Sequence, residues 1–262
     1  IHDRYNNQDS NELYKKLDNI QFYVKSLGYF NLSEELYIKM NARGLQLSPF
    51  ENFKADLINF INNKDYAPYK ELVPLYKKDS DDKVGFDFNF SVKLDAKWID
   101  IFWKKGNENF DAAYMSFFSR FFACKYIVST KDIVSDRDMR QDKTIRQLYT
   151  DAESRNDTDE YLGFQEFEDL LSKHPEFIMI LDKVFDVFYE YDHKDGKRFI
   201  YKSMLPSWEK KNPEDGDDFY SNLSSKMTHS KLILLGAVIE FIEAYDIFDI
   251  NVFKQWMRVV WN

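Results

Sequence analysis

Residues 33–60 read SEELYIKMNARGLQLSPFENFKADLINF, and the order of elements in this stretch governs the reading of the rest. Ser33 followed by Glu34 and Glu35 predicts a helix start, because a serine hydroxyl satisfies a free first-turn amide and carboxylates favour the positive end of the helix dipole. That helix runs through Leu36, Tyr37 and Met40, and Gly44 stands where a left-handed C-cap belongs. Ser48, Pro49 and Glu51 then restart the chain with a cap, a proline at the first helical position and a carboxylate at the third. Phe50, Phe53, Leu57 and Phe60 form one helical stripe. Upstream, Leu13 and Leu17 at i, i+4 spacing predict a short helix within residues 11–19. Ile20, Phe22 and Val24 alternate with Gln21, Tyr23 and Lys25, the period of a half-buried strand. Strand, helix, tight loop and helix follow in that order, an α/β signature confined to the first sixty residues.

Downstream the pattern is helical. Residues 66–77 predict a short helix, and Asp79 to Lys83 a solvated loop. Phe86, Phe88, Phe90, Val92 and Leu94 alternate with polar residues, which by period alone predicts a strand. Asp95 is then expected to start a helix with Trp98, Ile101 and Phe102 on its apolar side. Phe110, Tyr114, Phe117, Phe121 and Cys124 give a long aromatic helical face. Residues 135–160 are polar, with a short helical pattern around Ile145 and Leu148, and predict a mobile connection or insertion. Phe164, Phe167, Leu170 and Leu171 mark a helix that ends before His174-Pro175. Phe177, Leu181, Val184, Phe188 and Tyr191 repeat at helical spacing. Charged turns at 192–198 and 209–218 precede an apolar run from Leu232 to Ile239, expected to be a central buried helix. An amphipathic helix with Phe253, Trp256, Met257 and Val260 closes the chain. The fold class is therefore mainly α, with a small α/β part over residues 1–64 and a helical domain over 65–262.

Composition limits the chemistry. The 262 residues include 24 Phe, 17 Tyr and 5 Trp, and the net charge is −9. An acidic surface argues against this chain being the main phosphate-gripping part of a nucleic-acid binder. Its aromatics recur at helical spacing without interleaved Lys or Arg, which favours a packed core over base-stacking platforms. Cys124 is the only cysteine, so no intramolecular disulfide or cysteine-type zinc site can form, and a reducing, cytoplasmic setting is expected. On a phenylalanine-rich helical face its thiol reads as a small hydrophobe. His2, His174, His193 and His229 show no metal-ligand spacing, and there is no GxxxxGK[ST], GxGxxG or GxSxG. No apolar run approaches the ~18 residues needed to span a bilayer, so no membrane partner is expected. The chain begins with Ile1 and ends on Trp261-Asn262 within a helical pattern. It is therefore expected to be a piece of a longer protein.

One constellation carries possible chemistry. Tyr37 to Gly44 and Leu47 to Lys54 bracket a tight loop that delivers the chain to a fresh helix N-terminus, where unpaired amides favour anions. Arg43 offers a bidentate fork for phosphate, and Asn41 can read or cap neighbouring backbone groups. The same residues also read as a well-made helix-loop-helix connection.

The run LYIKMNARGLQLSPFENFKADL, residues 36–57, resembles the second signature block of the ParB-like domain at the amino end of GmrSD-type, modification-dependent (type IV) restriction enzymes. LDAKWIDIFW and the terminal FKQWMRVVWN resemble downstream helical blocks of longer members. The resemblance implies that residues 1–64 are the tail of a ParB-like domain followed by a helical extension. It implies a nucleotide pocket to which Asn41, Arg43, Gly44, Glu51 and Lys54 contribute, with a nucleoside triphosphate and Mg bound in the intact protein. It further implies a nuclease domain in the remainder of the polypeptide, DNA held by other parts, and a homo-oligomer as a compatible assembly. The family's upstream Asp-Gly-Gln-Gln-Arg motif and His-Asn-His nuclease residues are absent from this chain. The expectation is a nucleotide-dependent anti-phage defence protein represented without its catalytic motifs, so this chain alone carries no catalytic residues and no cofactor. The rival expectation is a noncatalytic helical protein–protein interaction module.

Overall fold

The computed structural model describes residues 47–76, 82–102, 110–130, 133, 135–148, 163–193, 200 and 229–260. The helix expected at 11–19, the strand at Ile20–Val24, the helix from Ser33 with its Gly44 cap, most of the 192–198 turn and the 209–218 turn lie outside them. Contact density divides the chain between Gln46 and Leu47, and every described residue belongs to the second unit.

Helix α1, Pro49–Asn63, begins as the sequence requires: Glu51 N–H donates to Ser48 Oγ at 3.2 Å and Ser48 N–H donates to Glu51 Oε2 at 2.8 Å. Both halves of the capping box are present, so two first-turn donors are satisfied within the chain. Phe50, Phe53, Leu57 and Ile61 point inward. The expected short helix at 66–77 is instead a 3-10 turn, Ala67–Lys70, followed by strand β1, Leu72–Pro74. Pro68 and Pro74 break any longer helix there. Strand β2, Lys83–Gly85, pairs antiparallel with β1, Val73 standing opposite Val84.

Residues 86–94 correct the sequence expectation: they form helix α2, Phe86–Ala96. Its inward face is Phe86, Asn89, Phe90, Lys93 and Leu94, while Phe88 is 53% exposed. Asn89 and Lys93 are tolerated inside because each has a partner: Asn89 Oδ1 accepts from Tyr76 N–H at 2.7 Å, and Lys93 meets two carboxylates. Asp95 lies in the last turn of α2 and starts nothing. A separate short helix α3, Ile99–Phe102, follows Lys97 and the fully buried Trp98.

Helix α4, Phe110–Ser129, is the axis of the core. Tyr114, Phe117, Phe118, Phe121, Phe122 and Ala123 are fully buried around its circumference, more than the single expected face. A helix apolar on all sides is stable only when other elements surround it; α1, α3 and three later helices pack against it. Helices α5, Asp136–Gln141, and α6, Lys143–Leu148, occupy the first half of the expected polar connection. Ile145 and Leu148, where the helical pattern was read, are buried. Helix α7, Gln165–Lys173, stops at His174-Pro175 as expected, and α8, Glu176–Phe188, continues into a widened π turn at Tyr189–His193. Helices α9, His229–Ala244, and α10, Ile250–Val260, form the last antiparallel pair, closed by Trp256 Nε1–H donating to the Ala237 carbonyl at 3.0 Å. Leu232, Leu235, Val238 and Ile239 of α9 are buried, but Ile233 within the same apolar run is 61% exposed.

Aromatic contacts bind these layers. Phe185 of α8 meets Trp98, Phe102, Tyr114, Phe117 and Phe118, with ring centroids 4.9 to 5.9 Å apart. Among the described residues, most of the aromatic side chains are thus packed in the core.

Candidate functional site

Of the five residues tied to a nucleotide, Asn41, Arg43 and Gly44 lie outside the described residues. Glu51 and Lys54 are both on α1. The Glu51 carboxylate closes the capping box, and the Lys54 ammonium pairs with Asp95 of α2. Pro49 has no N–H to give, and the Glu51 N–H is already held by Ser48. In this arrangement the Glu51 carboxylate and the Lys54 ammonium are each engaged within the described unit. Both define how α1 starts and how it is fixed to α2. No group of three or more His, Cys, Asp or Glu side chains among the described residues is placed to hold a metal ion.

The polar chemistry of the described unit lies deeper, between α2 and α8. Lys93 Nζ donates to both carboxylate oxygens of Asp182 and to Asp186 Oδ2, each at 2.9 Å. Lys97 Nζ donates to Asp186 Oδ1 at 2.8 Å, and the Trp98 indole N–H donates to the same oxygen at 2.9 Å. Glu190, in the π turn, extends the series 4.0 Å from Lys97. The spacing explains the assembly: lysines at i, i+4, one in α2 and one at its C-cap, meet acids at i, i+4 and i+8 on α8 and its extension, one helical turn per rung. Aromatic faces close the cluster, with Lys93 over Trp98 at 5.3 Å and Lys97 over Tyr76 and Tyr189 at 5.1 Å each.

The environment separates the acids. Burial pushes the Asp182 carboxyl up, and the Lys93 charge only partly offsets it. Burial acts on Asp186 in the same sense, but Lys93 and Lys97 outweigh it and hold that carboxyl below its usual range. Burial alone would depress Lys93, yet the two aspartates keep it above its ordinary value. This is the signature of a paired structural network.

A second clamp joins α4 to α9. Lys125, with a side chain only 5% exposed, donates to Glu240 Oε1 at 2.7 Å and to Glu243, and its ammonium lies 5.6 Å from the Phe177 ring centroid. Beside it, the Cys124 thiol donates to the Leu232 carbonyl at 3.5 Å, and burial raises its pKa to about 12. Such a thiol is inert as a nucleophile near neutral pH.

Sequence reasoning passed over Lys93, Lys97, Asp182 and Asp186. A strand assignment turns Lys93 outward, which hid the first pair. The second carried a local signal, since Asp182 and Asp186 stand four apart inside the apolar run EFIMILDKVFDVF. The geometry suits holding helices in register; it offers no nucleophile, oxyanion donor or open cation position. No family model, curated protein or solved structure matches the chain.

Proposed function

We propose that the chain is the middle portion of a GmrSD-like, nucleotide-dependent restriction or anti-phage defence protein, and that its helical body links a nucleotide-binding block to a nuclease elsewhere in the polypeptide. The supporting observation is the packing of α1. This helix carries the second half of the signature-like block, and it is built into the body: Phe50 stacks on Tyr114 at 4.6 Å, and Phe53 meets Phe118 and Phe167 at 5.1 and 5.4 Å. Helix α1 is therefore held to α4, the element around which the described unit is assembled.

On this reading Asn41, Arg43 and Gly44 supply the phosphate contacts of the intact protein, while Glu51 and Lys54 transmit position. The body itself performs no chemical step. The full-length gene product tests the proposal: expressed in a host challenged with phage carrying modified DNA, it should reduce plaque formation, and Arg43→Ala should abolish the protection at equal protein level. Full protection by Arg43→Ala would overturn the assignment.

The rival reading, a noncatalytic interaction module, draws support from large apolar side chains left in solvent near the α9–α10 pair: Ile233, Ile247 and Val259 are 61%, 84% and 70% exposed. The same plaque assay discriminates, because an interaction module would not depend on Arg43.

A further inference from the structure

Among the described residues nine large hydrophobic side chains stand exposed, and five of them, Ile233, Tyr245, Ile247, Trp256 and Val259, belong to α9, α10 and the turn that joins them. Helical spacing sets three of them along one groove. Ile233 lies one turn before Ala237, whose carbonyl accepts from the Trp256 indole, and Val259 lies one turn after Trp256. Ile233, Trp256 and Val259 therefore flank the open end of the antiparallel pair, while Tyr245 and Ile247 stand at its turn. That turn is held on both sides of Ile247. Lys183 donates to the carbonyls of Glu243 and Tyr245, the Tyr191 hydroxyl donates to the Phe248 carbonyl at 3.1 Å, and the Asp249 carboxylate accepts from Asn251 N–H at 2.7 Å. A turn pinned in this way presents its isoleucine without the ordering cost that a loose loop adds to association.

Charge is graded along the same pair. Residues 232–239 carry none. Glu240, Glu243, Asp246 and Asp249 gather toward the turn, and Lys125 and Lys183 answer two of those four charges, which leaves that end negative. The charged residues of α10 are Lys254 and Arg258, both positive and both exposed, with Arg258 in its last turn. The pair is acidic at its turn and basic toward its open end, with apolar side chains at both. A surface in that order is complementary to its own reverse.

We propose that a second copy of this chain covers the α9–α10 face. The two pairs meet antiparallel across a twofold axis, with Asp246 and Ile247 of each copy against Arg258 and Val259 of the other. The size of the face sets the strength. Helix α9 has 16 residues, about 24 Å, and two adjacent helices are about 20 Å wide, so each copy offers roughly 500 Å². About 1,000 Å² in total is the lower limit of specific interfaces, and a dimer of that size dissociates at about 1–50 µM. The pairing belongs to the helical unit and holds whether or not the protein serves in DNA defence.

Sedimentation equilibrium of the chain between about 1 and about 200 µM reads this association, and the mass should rise from one chain to two across that range. Val259→Asp and Ile233→Asp change exposed positions and leave the core intact. Each should keep the far-UV circular dichroism of the unsubstituted chain and stay monomeric. The charge order is read separately: Asp246→Lys and Arg258→Glu should each raise the dissociation constant about tenfold, and the double variant should return it to within about threefold. A chain that stays monomeric throughout overturns the proposal and leaves the face to a different protein or to another part of this chain. A dimer that survives both aspartate variants places the contact elsewhere and overturns it too. Failure of the double variant to recover overturns the antiparallel arrangement.

Discussion

Truncating Phe88 and Phe90 to alanine, one at a time, puts the α2 assignment at risk with two nearly identical substitutions. If residues 86–94 were a strand, the two rings would share one face and cost the same to remove. In α2 they diverge. Phe90 is fully buried, its ring 5.6 Å from Phe86 and 5.2 Å from Trp98. Phe90→Ala should cost about 3–5 kcal/mol, the transfer of a whole buried ring plus the cavity it leaves. Phe88 is 53% exposed, so about half of its transfer free energy, roughly 1 kcal/mol, is at stake. Alanine's better helix propensity returns about half of that. Phe88→Ala should therefore cost about 0.5 kcal/mol, a gap of at least 2.5 kcal/mol between the variants, or about seventyfold in the folding constant. Equilibrium urea denaturation followed by far-UV circular dichroism measures both at unchanged m-value. Equal losses would refute the helical reading and the buried Lys93 that depends on it.

Two further outcomes follow from the same packing. Asp186→Asn should cost about 3 kcal/mol at neutral pH, the low end for a broken buried pair because a third of the Asp186 side chain is exposed. Asp182→Asn should cost about 1 kcal/mol or less, since Lys93 keeps Asp186; equal losses in urea melts would contradict the unequal sharing described above. Cys124, buried with its thiol raised to about 12, should resist a disulfide reagent in the native chain at about pH 8 and react fast in urea. Rapid native labelling would show that the α4–α9 contact opens.

The legible and illegible parts of the fold differ in the range of the interactions that decide them. Ser48, Pro49 and Glu51 announce α1 because a capping box is complete within four residues. The Phe-rich run of α4 shows helical spacing without outside help, though only neighbours reveal that all its faces are covered. Residues 86–94 misled because periods two and 3.6 both select Phe86, Phe90 and Leu94; the decision rests on Asn89 and Lys93 against Phe88 and Val92. Placing Asn89 and Lys93 inside makes sense only with Tyr76 thirteen residues earlier and Asp182 eighty-nine later. Those distances are invisible to local periodicity. The candidate nucleotide residues divide in the same way. Glu51 was legible as a cap, and its cap role is what the fold uses; the Lys54 to Asp95 pair, forty-one residues apart, was not.

The central claim is that this chain contains a linking body and part of a nucleotide-binding block without the groups that perform catalysis. Incubating the purified 262-residue chain with nucleoside triphosphates, Mg and modified DNA, beside its Arg43→Ala variant, tests this most directly. The account predicts no phosphate release and no DNA cleavage above background from either protein. Turnover by the unsubstituted chain that disappears in Arg43→Ala would contradict it.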